Sequence, residues 1–144
     1  MPEPIQHADL GRLAVAAAEN SYSPYSKFRV GCAVRTADGT IIQGCNVENA
    51  SYGLTICAER AALFAAIAAG HRNIPALAVA CPDIDPEAAQ EIPSYVMPCG
   101  ACRQVMAELL APDAWIEVVN VGIFTLDDML PRAFSLLHID GEGA

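Results

Sequence analysis

Two short segments of this 144-residue chain carry residue types at spacings that can do chemistry: Cys57-Ala58-Glu59-Arg60 and Pro98-Cys99-Gly100-Ala101-Cys102. Each lies where a loop runs into a predicted helix. Their sulfurs therefore sit among unpaired backbone N–H groups at the positive end of a helix dipole, which lowers a thiol pKa and favours thiolate. Cys99 and Cys102, three residues apart, share a helix face, and Cys57 can close the set from a second helix. Three thiolates plus a water make the open four-coordinate form that zinc takes in catalytic sites. Glu59 stands two residues from Cys57, and at a helix entry its carboxylate can face the open position without ligating, as a proton carrier must. Taken alone, Cys99-x-x-Cys102 fits a redox pair or a structural zinc site equally well. A structural site asks for a fourth Cys or His, and His7, His71 and His138 read more simply as solvated or terminal residues. Arg60 has an electrostatic use: zinc with three thiolates is a net anion, which raises the pKa of a bound water, and an arginine on the sulfurs offsets this. A surface ion pair is the alternative reading of Arg60, and Arg103 reads as charge on a helix surface.

The elements that must position these groups follow from periodicity and punctuation. Leu10, Leu13, Ala14 and Ala17 predict an amphipathic helix over 8–20, followed by a loop over 21–27 that contains Pro24. The runs 28–36 and 40–47 are β-branched-rich and joined through Asp38-Gly39, a strong hairpin signal. An almost wholly apolar helix over 57–69, closed by Gly70, is expected to be buried on most sides. A buried strand over 75–81, a helix over 99–110 and a strand over 115–121 form a parallel crossover unit. Residues 82–97 hold three prolines and four acids and read as a long loop. Thr125 to Leu130 reads as a short helix stopped by Pro131, and 134–139 as a last segment of open form. The expected fold class is α/β, a layered arrangement of a mixed β-sheet with helices packed on its faces, in a single domain spanning 1–144.

Composition limits the partners. Eight Lys and Arg against 17 Asp and Glu give a net charge of −9, with no basic stripe to meet a phosphate backbone, so nucleic acid is excluded. The longest apolar run, 61–69, is too short to span a bilayer. The start of the chain has neither the basic end nor the apolar stretch of a secretory signal, so a soluble cytoplasmic domain with reduced thiols is expected. Cys32, Cys45 and Cys81 lie in apolar strand-like runs and read as small core residues. A small neutral ligand is the default expectation.

Cys-Ala-Glu followed by Pro-Cys-x-x-Cys is the known signature of zinc deaminases in its three-cysteine form. From Ser23 to about Phe134 the chain resembles the cytidine deaminase family, in its short-chain homotetrameric branch. The resemblance rests on Ser-Pro-Tyr-Ser-Lys-Phe-Arg-Val-Gly at 23–31, Gly-Cys-Asn-Val-Glu-Asn-Ala-Ser-Tyr at 44–52, Cys-Ala-Glu-Arg at 57–60, Pro-Cys-Gly-Ala-Cys-Arg-Gln-Val at 98–105 and Leu-Pro-Arg-Ala-Phe at 130–134. It implies a cytidine deaminase-like fold and one zinc per chain on Cys57, Cys99 and Cys102, with no organic cofactor. The reaction implied is hydrolytic deamination of cytidine and 2′-deoxycytidine, as in pyrimidine salvage, with Glu59 carrying protons. Phe28 would pack on the pyrimidine, Asn46 and Glu48 would hold ribose hydroxyls, and Ala58 would touch the substrate. Tyr52 and Phe134 would reach into neighbouring sites of a homotetramer. Two features depart from the family pattern: 82–97 is longer than usual, and 118–126 lacks the usual turn-linked strand pair, which leaves a fifth strand open. The alternatives are a deaminase of modified or antibiotic cytosine nucleosides of the blasticidin S type, and a zinc-stabilised binding domain without catalysis. Asn46-Val47-Glu48-Asn49 favours the ordinary nucleoside.

Overall fold

A computed structural model describes residues 7–137, with side chains from Asp9 onward. His138 and Ile139, on which two of the expectations above fall, lie outside the described residues, as does the His7 side chain. The strands are β1 (Gly31–Arg35), β2 (Ile41–Cys45), β3 (Ile74–Ala80), β4 (Leu110–Val118) and β5 (Gly122–Phe124), ordered β2-β1-β3-β4-β5 in one sheet. β1 pairs antiparallel with β2 and β3, β3 pairs parallel with β4, and β4 pairs antiparallel with β5. The sheet is mixed, as the sequence predicts.

Alternation along the strands splits the core into two layers. Ala33, Ala76, Ala78 and Ala80 face helix α1 (His7–Ala17), where they meet Leu10 and Ala14. Cys32, Val34, Leu77, Val79, Ile116 and Val118 face the opposite way, toward helices α2 (Ala58–Ala68) and α4 (Gly100–Leu109). Small residues let the helices come close. A Cβ on Gly44 would lie 2.5 Å from Ala62 N and 2.8 Å from Ala58 O, so β2 fixes the height of the α2 start that carries the chemistry.

Several expectations need correction. α2 is not buried on most sides: Ala58, Glu59, Ala62, Leu63 and Ala66 face the core, while Phe64 is 48% exposed. Residues 82–97 are not a bare loop. They contain α3 (Pro86–Glu91) and a 3-10 turn over Pro93–Tyr95, anchored by buried Ala89 and Val96. Apolar residues at helical spacing between the prolines were the signal. β4 starts at Leu110 rather than Trp115, because buried Leu110, Ala111 and Ala114 extend it across a register shift opposite Ile74 and Ala76. The fifth strand is present as three residues. β1 begins at Gly31, so Phe28 precedes the sheet. Cys32 is buried, but Cys45 and Cys81 are only half-buried. After β5, α5 (Leu126–Met129) is opened by a Thr125–Asp128 capping box. Among the described residues no helix is long and apolar enough to cross a membrane.

Candidate active site and metal centre

Cys57 and Cys99 are the N-cap residues of α2 and α4, both in extended backbone conformation, and neither thiol caps its helix. Their carbonyls open the helices by accepting from Ala61 N and Arg103 N, each at 3.0 Å. The thiols are thus left free at two converging helix starts, and Cys102, on the first turn of α4, is fully buried behind them. All three sulfurs lie within 4.8 Å of one another, with Cys57 and Cys99 at 3.8 Å. Sulfurs about 2.3 Å from a tetrahedral zinc are about 3.8 Å apart, so the donor set fits that ion. The three cysteines are the one group among the described residues that could hold a metal ion.

The electrostatics favour thiolate at Cys57. The Cys102 thiol and the Arg60 guanidinium hold Cys57 down at about 5, with Arg60 Nη2 3.3 Å from its sulfur. Cys102, the donor in that pair and buried, is pushed up. Glu59, 4% exposed, is raised to about 7, first by burial and then by the charge of Cys57. A carboxyl poised there can both take and give a proton at neutral pH.

Glu59 lines a cavity of about 240 Å³ together with Phe28, Asn46, Cys57, Ala58 and Cys99. These six predicted residues are brought together. Asn46 is 8% exposed, and its amide is engaged: Oδ1 accepts from Val30 N at 2.9 Å and from Ser21 Oγ, and Nδ2 donates to Phe28 O at 2.8 Å. One Nδ2 hydrogen is left for a ligand. Glu48 lies in an adjoining depression with Ser26, Tyr52 and Thr55. Its carboxylate accepts from Ser26 Oγ, Tyr25 N and Ser26 N, contacts that hold its pKa below the usual range. Thr55 lines both spaces. Tyr52, 71% exposed, meets Tyr25 edge-on at 6.0 Å, and Phe134 is 60% exposed; neither lines this chain's own cavity.

Sequence reasoning missed part of the wall. Cys81, Tyr95, Val96 and Met97 line the cavity from the long segment after β3. Burial pushes the Cys81 thiol up to about 12, so it is a neutral wall residue. Arg103 is not mere surface charge: it donates to Pro98 O at 2.8 Å and to Met129 O at 3.0 Å, clamping the start of α4 to the end of α5.

A family model described as the cytidine and deoxycytidylate deaminase zinc-binding region matches residues 4–117. A cytidine deaminase of Halalkalibacterium halodurans is 46% identical over 126 residues, covering 85% of this chain and 89% of the relative. One from Mycobacterium tuberculosis is 44% identical over 129 residues, covering 90% of each. The crystal structure of cytidine deaminase from Burkholderia pseudomallei matches with a TM-score of 0.77 at 45% identity, covering 90% of this chain and 100% of that one. Likeness of this extent, in sequence and in fold alike, means that the chain belongs to the cytidine and deoxycytidylate deaminase family.

Proposed function

We propose that this protein hydrolytically deaminates cytidine and 2′-deoxycytidine to the uridine nucleosides, releasing ammonia, as in pyrimidine salvage. The observation that carries the reading is a buried carboxyl, Glu59 at about 7, in one cavity with the thiols of Cys57 and Cys99 and backed by Cys102. Zinc held by the three thiolates supplies, when bound, a water acidic enough to be the nucleophile at neutral pH. Glu59 would take one proton from the attacking water as its oxygen bonds to C4 and deliver it to ring N3, then take the remaining proton of the C4 hydroxyl and pass it to the amine, so that the C4–N bond breaks, ammonia leaves and the C4 oxygen becomes the carbonyl. Phe28 packs on the ring face. The remaining Nδ2 hydrogen of Asn46 and the Glu48 carboxylate hold the ribose hydroxyls, and the Ala58 backbone borders the pyrimidine. Arg60 offsets the anionic charge of the thiolates.

Relatives named as cytidine deaminases over most of the chain favour the ordinary nucleoside over a modified or antibiotic one. A binding domain without catalysis would close its zinc with a fourth protein ligand, and among the described residues the group has three.

The chain works as one domain over 1–144 in a homotetramer. Exposed Tyr52, Phe64 and Phe134 are apolar surface suited to burial between copies, with Tyr52 and Phe134 completing neighbouring sites. Six free cysteines fit the reducing cytoplasm. Mixing the protein with cytidine and following the loss of ultraviolet absorbance, with metal content measured in parallel, tests the reaction. About one zinc per chain and uridine formation are expected; a folded, zinc-loaded sample that leaves cytidine intact overturns it. Sedimentation tests assembly, and a fully active monomer refutes the shared site.

A further inference from the structure

Two segments distant in sequence leave the sheet side by side and both become cavity wall. β1 and β3 pair from Gly31 opposite Ala80. Beyond that point the chain runs back through Val30 and Phe28 on one side, and forward through Cys81 to Tyr95, Val96 and Met97 on the other, all of them lining the cavity. The ladder cannot continue. Pro82, the residue that would come opposite Arg29, has no N–H to give.

Asp83 takes the place of the missing ladder. Its Oδ2 accepts from the Arg29 backbone N–H at 2.7 Å, and its Oδ1 accepts from Arg29 Nη2 at 2.7 Å, with Nε at 3.2 Å. The remaining hydrogen bonds of Phe28 and Val30 run the other way. Phe28 N donates to Ser26 Oγ, Phe28 O accepts from Asn46 Nδ2, Val30 N donates to Asn46 Oδ1, and Val30 O accepts from Asn46 N. Every one of those bonds ties the segment to its own loop or to the β2 side. Arg29 to Asp83 is the tie on the β3 side. The arginine in turn holds the Asp83 carboxyl below its usual range.

We infer that Arg29 and Asp83 form a positioning latch that fixes the Phe28–Val30 wall against the Cys81–Met97 wall, and so sets the fit of the cavity to its substrate. This rests on the cavity being the nucleoside site. Neither residue touches the thiols or Glu59, so the latch acts on binding common to ground and transition states, which appears in KM rather than kcat. Arg29 and Asp83 side chains are 40% and 27% exposed, so salt reaches the pair.

The test compares wild type, Asp83→Asn, Asp83→Ala and Arg29→Lys with cytidine as substrate. Asp83→Ala should raise KM roughly 3–10-fold with kcat held within about twofold, and Asp83→Asn and Arg29→Lys, which keep part of the hydrogen bonding, should fall between. Because cytidine is uncharged, raising the salt should lift the wild-type KM toward that of Asp83→Ala and leave the variant's KM unmoved. Hydrogen exchange on the same proteins should show faster exchange over 28–30 and 81–83 in Asp83→Ala. A wild-type KM retained in Asp83→Ala, a loss carried by kcat, or unchanged exchange in both segments overturns the latch. Failure of the wild type to turn over cytidine overturns the proposed reaction instead, and the exchange measurement still decides the latch.

Discussion

Arg60 Nη2 reaches back along the first turn of α2 to lie 3.3 Å from the sulfur of Cys57, three residues earlier. The pairing raises the pKa of Arg60, first through its hydrogen bond to Cys57 and also through Cys102, and helps hold Cys57 at about 5. Metal affinity depends on thiols losing their protons, so a cation that favours thiolate strengthens the site against acid. Arg60→Gln should therefore weaken zinc retention by about 10–100-fold, the usual cost of losing an outer-shell partner. Protons then compete sooner, so the pH of half metal loss should rise. Competition with a chelator across a pH series measures both; an unmoved release curve would remove Arg60 from this role.

Glu59 is the complementary case, a group whose removal should cost activity and not stability. Burying its carboxyl is unfavourable when ionised, and that cost is what raises it to about 7. Glu59→Gln should keep the zinc and a melting temperature at or above that of the parent. Turnover should drop by at least the ~10²–10⁴ of a lost general acid–base group. Steady-state kinetics with thermal melts on one preparation decide it, and near-normal turnover would end the assignment.

The thiol triad and Glu59 were legible because they rest on local rules: a thiol at a helix entry, a three-residue spacing within α4, and a carboxylate two places from a ligand. α1 and the β1–β2 hairpin were legible for the same reason, through periodicity and Asp38-Gly39. What escaped was tertiary. Tyr95, Val96 and Met97 reach the cavity because the Ala89 and Val96 anchors fold the 82–97 segment onto the core, and no local pattern shows where such a segment returns. The exposure of Phe64 was not legible because an almost wholly apolar helix offers little periodicity from which to choose its buried face. Nor does the sequence show that Asn46, expected at the ribose, spends most of its amide on backbone sixteen and eighteen residues away.

That engagement makes Asn46 both a fold and a binding residue. Asn46→Ala leaves the Val30 N–H and the Phe28 carbonyl without their partner in a region closed to most solvent. The cost should be about 1–3 kcal/mol for each group that finds no replacement. Denaturant unfolding should show the loss, and KM for cytidine should rise as Phe28 loses its tether. Unaltered stability together with unaltered KM would contradict the contacts seen around this amide.

Asp38, at the hairpin turn, gives a pH signature remote from the site. Hydrogen bonds from Thr36 Oγ1 at 2.6 Å and from Thr40 N at 3.1 Å lower its carboxyl to about 2. A group with a depressed folded pKa adds stability that is fully present above its ordinary value of 3.8 and is lost as pH falls through about 2. The melting-temperature gap between wild type and Asp38→Ala should thus be constant near neutral pH and close as pH falls from about 4 to about 2. A gap that widens in acid has the wrong sign for this account.

The charge around the cavity predicts which form of the base is chosen. The arginines near it are already engaged, Arg29 with Asp83, Arg60 with Cys57, and Arg103 with the carbonyls of Pro98 and Met129, and the charge of Lys27 falls on Glu48. Exposed Asp85, Glu87 and Glu91 sit on the segment that supplies one wall, and Glu48 is held ionised in the adjoining depression. A 5′-phosphate would enter this field with no free guanidinium to receive it, so cytidine monophosphate should be a poor substrate. Free cytosine should also be poor. It lacks the ribose through which Asn46 and Glu48 orient the ring, and contacts remote from the reacting carbon are what raise turnover. At matched ionic strength kcat/KM for cytidine should exceed that for either competitor by roughly tenfold or more. Preference for the monophosphate would overturn the charge argument, and preference for cytosine would overturn the ribose assignment while leaving Glu59 and the thiols in their places.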